Sequence, residues 1–263
     1  MRIEFVAAGI AAAAVIIVLS VFWDDWFGAV KPPPPPVSAP VEPTPEPVSE
    51  PPPVPESEVA QPPALVLPAL DVSDEFVLQE LAQFALPAAW LDREDLLRRL
   101  AVLIDNAPRG EYPKAQLGFL APVGEFSVIE DGESFLLDPV SYQRYDGYLD
   151  VLEAIDPQLL ASTLLLFEPL LTQALAELGN SQPIVEQLLA GIAHLRVVRP
   201  PVGDVQLVQP KVLYEYADPV LEAMSPLQKQ VLRMGPNNIE RLHAYLDELQ
   251  AQLRLASQTD GAS

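Results

Sequence analysis

Two histidines are the first candidates for chemistry, because histidine is the commonest acid–base group near neutral pH and a frequent metal ligand. His194 and His243 belong to no metal-binding spacing such as H-x-x-x-H or H-E-x-x-H. In the helical pattern His194 lies opposite the apolar positions and is expected to face solvent, whereas His243 lies at the margin of an apolar stripe. For both residues we favour a surface or boundary role over catalysis.

Other motifs for catalysis or cofactor binding are absent from the sequence. There is no G-x-S-x-G for a serine nucleophile, and no G-x-x-x-x-G-K-[ST] or G-x-G-x-x-G for a nucleotide. The chain also has no cysteine, which excludes disulfides, thiolate metal sites and a cysteine nucleophile. We therefore predict no catalytic residue, no cofactor and no metal site.

Carboxylates are the one plentiful reactive group, with 37 Asp and Glu residues in the chain. The densest group, Glu130, Asp131 and Glu133, fails the calcium-loop spacing and is interpreted as the solvated tip of a hairpin. A glycosidase-type acid–base pair is defined by distance in space and not by spacing in the sequence. A cell-envelope hydrolase with such a carboxylate pair, acting on a peptidoglycan-type substrate, is therefore the alternative to a non-enzymatic protein.

Two segments combine tyrosine with arginine, lysine or glutamine, which are side chains suited to binding. Tyrosine and arginine are enriched at the energetic centres of protein interfaces. The more ordinary interpretation is that these tyrosines pack in the core, with their hydroxyl groups at its edge. The candidate binding residues are Tyr142, Arg144, Tyr145, Gln209, Lys211, Tyr214 and Tyr216.

Several segments carry a resemblance to a known family. I-D-N-A-P-R-G at 104–110, L-D-P-V-S-Y-Q-R-Y-D at 137–146, V-Q-L-V-Q-P-K-V-L-Y-E-Y-A-D-P at 205–219 and L-R-M-G-P at 232–236 resemble a family of bacterial envelope proteins. That family is known only as domain of unknown function number 3014. The resemblance covers roughly residues 70 to 253. It implies one N-terminal membrane helix, a proline-rich spacer and this domain, and it implies no activity, cofactor or catalytic residue.

The N-terminus reads as a membrane anchor. Residues 5–22 contain no charged side chain, and 18 helical residues span about 27 Å, enough for the hydrocarbon core of a bilayer. Arg2 before this stretch and Asp24 and Asp25 after it favour a cytoplasmic N-terminus at 1–4 and a transmembrane helix at 5–23. A cleaved signal peptide is the competing interpretation, although its start is weakly basic and no good cleavage site follows.

An acidic, proline-rich linker is predicted at residues 24–67. It holds 15 of the 30 prolines of the chain, and proline prevents both helix and sheet. Extended polyproline II, at about 3.1 Å per residue, would hold a domain well away from a membrane. A recognition site for a polyproline-binding partner is the alternative to a simple spacer.

Residues 68–256 have the composition of a compact, mainly helical domain of the α+β class, followed by a disordered tail at 257–263. Asp156, Pro157 and Gly179 mark the start and end of one central helix, in which Pro169 is expected to produce a kink on the solvent side rather than a break. Further helices are expected at 73–84, 92–106, 183–196, 225–234 and 236–255.

A small β element accompanies these helices. Residues 126–130 and 133–137 flank Asp131-Gly132, a dipeptide that favours a tight hairpin turn. A second extended piece, 205–208 and 211–216, is split by Pro210 and reads as a strand, a sheet edge or an ordered loop.

The charge of the chain limits its partners. The formal net charge is −22, and 13 basic against 29 acidic residues from residue 64 onward leave −16 on the folded part. Nucleic acid is excluded as a ligand, because phosphates require a basic surface. We expect a single-pass protein of the bacterial inner membrane, anchored through 5–23, with a non-enzymatic binding or scaffolding domain in the periplasm and a protein partner in the envelope. Capture of a basic partner by the acidic domain is a further interpretation.

Overall fold

A computed structural model describes residues 67–113, 116, 124–132 and 134–260. In these residues the protein is mainly helical, as predicted for the folded part, and the predicted β-hairpin belongs to a small antiparallel sheet of four strands. The predicted membrane helix at 5–23 and nearly all of the predicted linker at 24–67 lie outside the described residues.

Ten α-helices lie within the described residues, and short 3-10 helices at Leu70–Val72, Ala107–Arg109 and Pro139–Tyr145 connect some of them. In chain order the helices are α1 Asp74–Leu81, α2 Ala88–Leu91, α3 Leu96–Asn106, α4 Asp146–Glu153, α5 Pro157–Leu166, α6 Glu168–Glu177, α7 Ile184–Arg196, α8 Pro219–Glu222, α9 Pro226–Arg233 and α10 Gly235–Asp260.

The longest helix, α10, forms the centre of the domain and packs against α4, α5, α7 and α9. It begins at Gly235 and continues to Asp260, past residue 256, where the domain was expected to end. The apolar stripe read from the sequence is buried as predicted, and its members repeat every three or four residues. These residues are Ile239, Leu242, Leu246, Leu249 and Leu253.

The predicted central helix is instead two helices, α5 and α6, separated at Phe167 and bent by 62°. Pro169 cannot donate a backbone hydrogen bond to the preceding turn, and the ring of Phe167 is buried in the core. The proline therefore breaks the helix, and the prediction of a kink on the solvent side is wrong.

None of the described helices alone is long and apolar enough to cross a membrane, whereas the bent pair of α5 and α6 meets that test by length and composition only.

Both extended pieces of the sequence join one sheet, in the order β1-β2-β3-β4. The predicted hairpin is present, with β1 at Val128–Asp131 and β2 at Ser134–Leu137. Its turn lies one residue later than predicted, because Asp131 belongs to β1 and pairs with Ser134. The second piece supplies β3 at Gln206–Val208 and β4 at Glu215–Tyr216, with Pro210 in the connection between them. Of the strand, sheet edge and loop considered for this piece, the structure shows two paired strands, with β4 at the edge of the sheet.

His194 lies at the junction of α7 and α9 and does not face solvent as expected from the helical pattern. The side chain is half-buried, and its Nε2 atom lies 2.9 Å from the hydroxyl oxygen of Ser225. Ser225 also caps α9, because its hydroxyl oxygen accepts a hydrogen bond from the backbone N–H of Gln228. A side chain at Gly110 would overlap both His194 and Ser225. The helical pattern could not reveal these two neighbours, because Gly110 and Ser225 are far from His194 in the sequence.

We predict that the stability of the domain falls in mild acid. Burial lowers the pKa of His194 below its unfolded value of about 6.5, so the folded state disfavours the protonated ring. The stabilisation is complete above that pH and is lost as the pH drops towards the folded pKa. Urea unfolding between about pH 5 and 8 should give a flatter pH dependence for His194→Gln than for the wild-type chain. His243→Gln should flatten the pH dependence in the same direction, because burial also lowers the pKa of His243. An unchanged slope in His194→Gln would contradict the prediction.

Candidate binding site: an arginine–tyrosine cluster and an exposed loop

The structure divides the seven candidate binding residues into two groups. Four of them, Tyr142, Arg144, Tyr145 and Tyr216, belong to a half-buried to buried cluster near the sheet. The other three, Gln209, Lys211 and Tyr214, belong to the connection between β3 and β4, which we call the β3–β4 loop (residues 209–214).

The 3-10 helix Pro139–Tyr145 carries three residues of the cluster, and it is fixed at its start. The Asp138 carboxylate accepts a hydrogen bond from the backbone N–H of Val140 at 3.0 Å and from the hydroxyl of Ser127 at 2.8 Å. The hydroxyl oxygen of Ser141 accepts a hydrogen bond from the backbone N–H of Ser127 at 2.8 Å. The β-hairpin and the 3-10 helix are therefore held together by hydrogen bonds between Ser127, just before β1, and Asp138 and Ser141, just after β2.

Gly235, the first residue of α10, is in close contact with the ring of Tyr142. Its φ angle is +77°, and a Cβ atom at this position would overlap the ring. The side-chain amide of Asn238 donates hydrogen bonds to the Tyr142 carbonyl at 3.3 Å and to the Asp146 carboxylate at 2.8 Å. The start of α10 is therefore fixed against the 3-10 helix, which brings the end of α9 to the cluster.

A fifth residue of the cluster, Arg233, comes from the end of α9 and was not predicted. Arg233 is half-buried; its Nη1 atom is buried and has no hydrogen-bond partner, and no described carboxylate pairs with the side chain. In the sequence, a single arginine in the last turn of a helix is typical of a solvent-exposed partner of the helix dipole. Its place in L-R-M-G-P was the only available signal. We call Tyr142, Arg144, Tyr145, Tyr216 and Arg233 the arginine–tyrosine cluster.

The electrostatics of the cluster follow from burial and from two neighbouring guanidinium groups. Burial lowers the pKa of Arg144, and the charge of Arg233 lowers it further. Burial raises the pKa of Tyr145, and it raises the pKa of Tyr216 to about 12. Both phenols are therefore protonated at physiological pH and can donate hydrogen bonds. The cluster combines positive charges with hydrogen-bond donors.

Aromatic rings form the apolar side of the cluster. The guanidinium carbon of Arg144 lies 5.6 Å from the ring centroid of Phe126 and 5.7 Å from that of Tyr145, which are cation–π distances. Tyr145 is fully buried and Tyr216 is nearly so. The core interpretation of these two tyrosines therefore fits their burial, and neither can contribute to an exposed surface.

The β3–β4 loop exposes apolar side chains at its tip, and its last residue, Tyr214, packs on aromatic rings of the hairpin region. Val212 is 74% exposed and Leu213 is 38% exposed, next to the exposed Lys211. The Gln209 side-chain amide donates a hydrogen bond to the Val212 carbonyl at 2.8 Å, which closes the loop. The ring of Tyr214 packs on Phe135 at 5.0 Å and on Phe126 at 5.9 Å. The hydrogen bond from Gln209 therefore holds the tip of the loop, and the packing of Tyr214 holds its C-terminal end.

The outer side of β4 is occupied by a side chain. The Tyr216 N–H points away from β3 and donates a hydrogen bond to the Glu222 carboxylate at 2.9 Å. The next amide, that of Ala217, donates to the Gln206 carbonyl at 3.0 Å. Glu222 also forms an ion pair with Lys229 on α9. The edge strand is therefore tied to α8 and α9.

Across the part of the chain that the structure describes, no group of three or more His, Cys, Asp or Glu side chains could hold a metal ion.

A family model described as Protein of unknown function (DUF3014) matches residues 96–250 of the chain. No curated protein and no solved structure matches the chain.

We predict that Gly235→Ala is strongly destabilising, by about 2–4 kcal/mol, because the new methyl group would overlap the Tyr142 ring and the positive φ is unfavourable for alanine. Gly179→Ala is a matched control, since Gly179 has a φ of +81° but open space around its Cβ position. That variant should lose only about 1 kcal/mol. Equal losses by urea unfolding would show that the Tyr142 contact contributes little.

Proposed function

Because the chain belongs to the DUF3014 family, whose description gives no activity, we propose its function from the geometry of the domain and the order of segments in the sequence. The protein is a non-enzymatic binding or scaffolding module for a protein partner in the bacterial cell envelope. A single-pass inner-membrane helix at 5–23 anchors it, and the proline-rich spacer carries the domain into the periplasm.

The observation that carries the binding role is the exposed β3–β4 loop. Val212 and Leu213 place apolar surface in water, and exposed apolar surface often marks an interaction site. The Gln209 hydrogen bond and the packing of Tyr214 restrain the loop. A preorganised loop loses little conformational entropy on binding, so more of the contact energy contributes to affinity.

Two carboxylates, Asp105 and Glu177, do not fit the role that the hydrolase alternative requires. A general acid requires a carboxyl group with a raised pKa. Asp105 and Glu177 instead have lowered pKa values, because each carboxylate accepts hydrogen bonds from an arginine, Arg109 and Arg98 respectively. This arrangement is typical of ion pairs that stabilise the fold.

The predicted topology is tested by fusing reporters after Ser263. Arg2 before the apolar stretch and Asp24 and Asp25 after it should direct the C-terminus to the periplasm. A reporter enzyme active only in the periplasm should therefore be active in this fusion, and a reporter active only in the cytoplasm should be inactive. The reverse pattern would contradict the topology.

The binding role is tested by in-cell photocrosslinking from a photoreactive residue at position 211, followed by identification of the attached protein. We expect a discrete crosslinked partner, and we expect Val212→Asp with Leu213→Asp to abolish it, because charge would replace the apolar contact surface. The same double variant should keep the helical circular-dichroism signal and the unfolding midpoint, since both side chains are exposed.

The matched control for the loop variant is Val72→Asp, which changes a valine that is 69% exposed and lies outside the loop. It should leave the crosslink intact. If the loop variant crosslinks as well as this control does, the loop is not the binding surface.

A further inference from the structure

We propose that the outer edge of β1 is a strand-addition site for an extended segment of a partner protein in which basic and apolar side chains alternate. This inference goes beyond the proposed function, which places binding at the β3–β4 loop, because it concerns a different surface, the edge of the sheet that β1 forms. In strand addition the main-chain hydrogen bonds supply affinity, and alternate side chains supply specificity.

The hydrogen bonds of the hairpin show which backbone groups of β1 point outward. In an antiparallel pair, successive residues direct both backbone groups alternately towards the partner strand and away from it. The Asp138 N–H donates to the Ser127 carbonyl at 3.2 Å, and these two residues continue the register of the hairpin. Leu137, one residue earlier, donates instead to the Val205 carbonyl at 2.9 Å, on the side of β3. Its partner Val128, and the residue two positions later, therefore direct their N–H and C=O groups away from β2.

These outward groups are unpaired within the described part of the chain. Neither the N–H nor the C=O of Val128 or of Glu130 forms a hydrogen bond with a described residue. Glu130 is exposed and Val128 is partly exposed, so solvent reaches the strand. A strand edge with free backbone groups is a template for pairing with another chain.

The opposite edge of the sheet differs in this respect. The Tyr216 N–H of β4 points away from β3 and already donates to the Glu222 carboxylate at 2.9 Å. No described side chain accepts from the outward amides of β1 in the same way. A strand added at β1 therefore displaces no hydrogen bond of the described fold, and β1 is the edge suited to addition.

Charge selects the occupant of this edge. Residues 124–134 contain four acidic residues and no basic residue. A second copy of the chain would bring two such segments together, and like charges on paired strands are destabilising. A basic side chain opposite Glu130 would instead form a favourable cross-strand pair. The occupant is therefore a basic segment of another protein and not a second copy of β1.

The side chains of β1 give the rest of the pattern. Successive side chains of a strand point to opposite faces, so Ile129 lies on the other face from Glu130. Ile129 is 47% exposed, and its partner Leu136 on β2 is partly exposed. An apolar side chain on the added strand would cover this surface. The added strand therefore carries a basic residue on one face and an apolar residue on the other.

The test measures fluorescence anisotropy of a short labelled peptide in which lysine alternates with valine, added to the full chain in a mild detergent at physiological ionic strength. Two control peptides change one property each. In the first, glutamate replaces lysine; in the second, the backbone nitrogens are methylated, which removes the main-chain donors. The lysine–valine peptide should bind, and both controls should bind at least about tenfold more weakly.

Val128→Pro removes an outward donor and leaves the β1–β2 hydrogen bonds in place, a position at which a sheet edge tolerates proline. It should weaken binding of the lysine–valine peptide about threefold to tenfold and keep the unfolding midpoint. Glu130→Lys, at an exposed side chain, should weaken the lysine–valine peptide and admit the glutamate–valine peptide. Glu94→Lys is the matched control, because it makes the same change at an exposed glutamate outside the sheet, and it should bind as the wild type does.

Hydrogen exchange locates the bound peptide. The amide hydrogens of Val128 and Glu130 should become protected when the lysine–valine peptide binds, and those of the β3–β4 loop should not. Protection without a change at these two amides would show that the peptide is only attracted to the acidic surface, and would overturn the site.

Three further results would also overturn it. These are no binding of the lysine–valine peptide, equal binding of this peptide by Val128→Pro and the wild type, and a dimer of the chain that Val128→Pro dissociates, since a second copy would then occupy the edge. The proposed function is scored separately by the crosslink from position 211. Absence of that crosslink with intact peptide binding at β1 would refute the loop as the binding surface and leave the edge site standing.

Discussion

The contact between Gly235 and the Tyr142 ring is the constraint on which the rest of this domain depends. The chain passes from α9 into α10 at this point, and only glycine combines a φ of +77° with room for the ring. From there α10 runs through the centre of the domain and packs on α4, α5 and α7. The same contact sets the position of α9, and hence of Arg233. One close approach therefore links the core to the candidate site.

The ion pairs show how an acidic chain uses its few cations. Arg98 joins the segment before α1, the start of α3 and the end of α6 through three carboxylates. Arg241 joins α10 to α4. These pairs are largely exposed, so each adds little free energy by itself, and their role is to fix where helices meet.

Sequence periodicity predicted the elements whose determinants are local. The hairpin at Val128–Leu137 and the buried stripe of α10 depend on residues close in the chain, and both are present, although the hairpin turn lies one residue later than predicted. The pairing of β2 with β3 could not be predicted, because it joins Phe135 to Leu207 across 72 positions. The break before Pro169, the burial of His194 and the place of Arg233 likewise depend on neighbours that only the folded chain supplies.

The hydrogen bond from the Tyr216 N–H to Glu222 limits how another molecule can be recognised at β4. A foreign strand extends a sheet by pairing with free backbone groups at its edge, and this amide is already engaged. A partner therefore cannot extend the sheet through this amide, and at this point of β4 it is recognised through its side chains or functional groups. Its own backbone is left free to be helical, irregular or not a polypeptide at all.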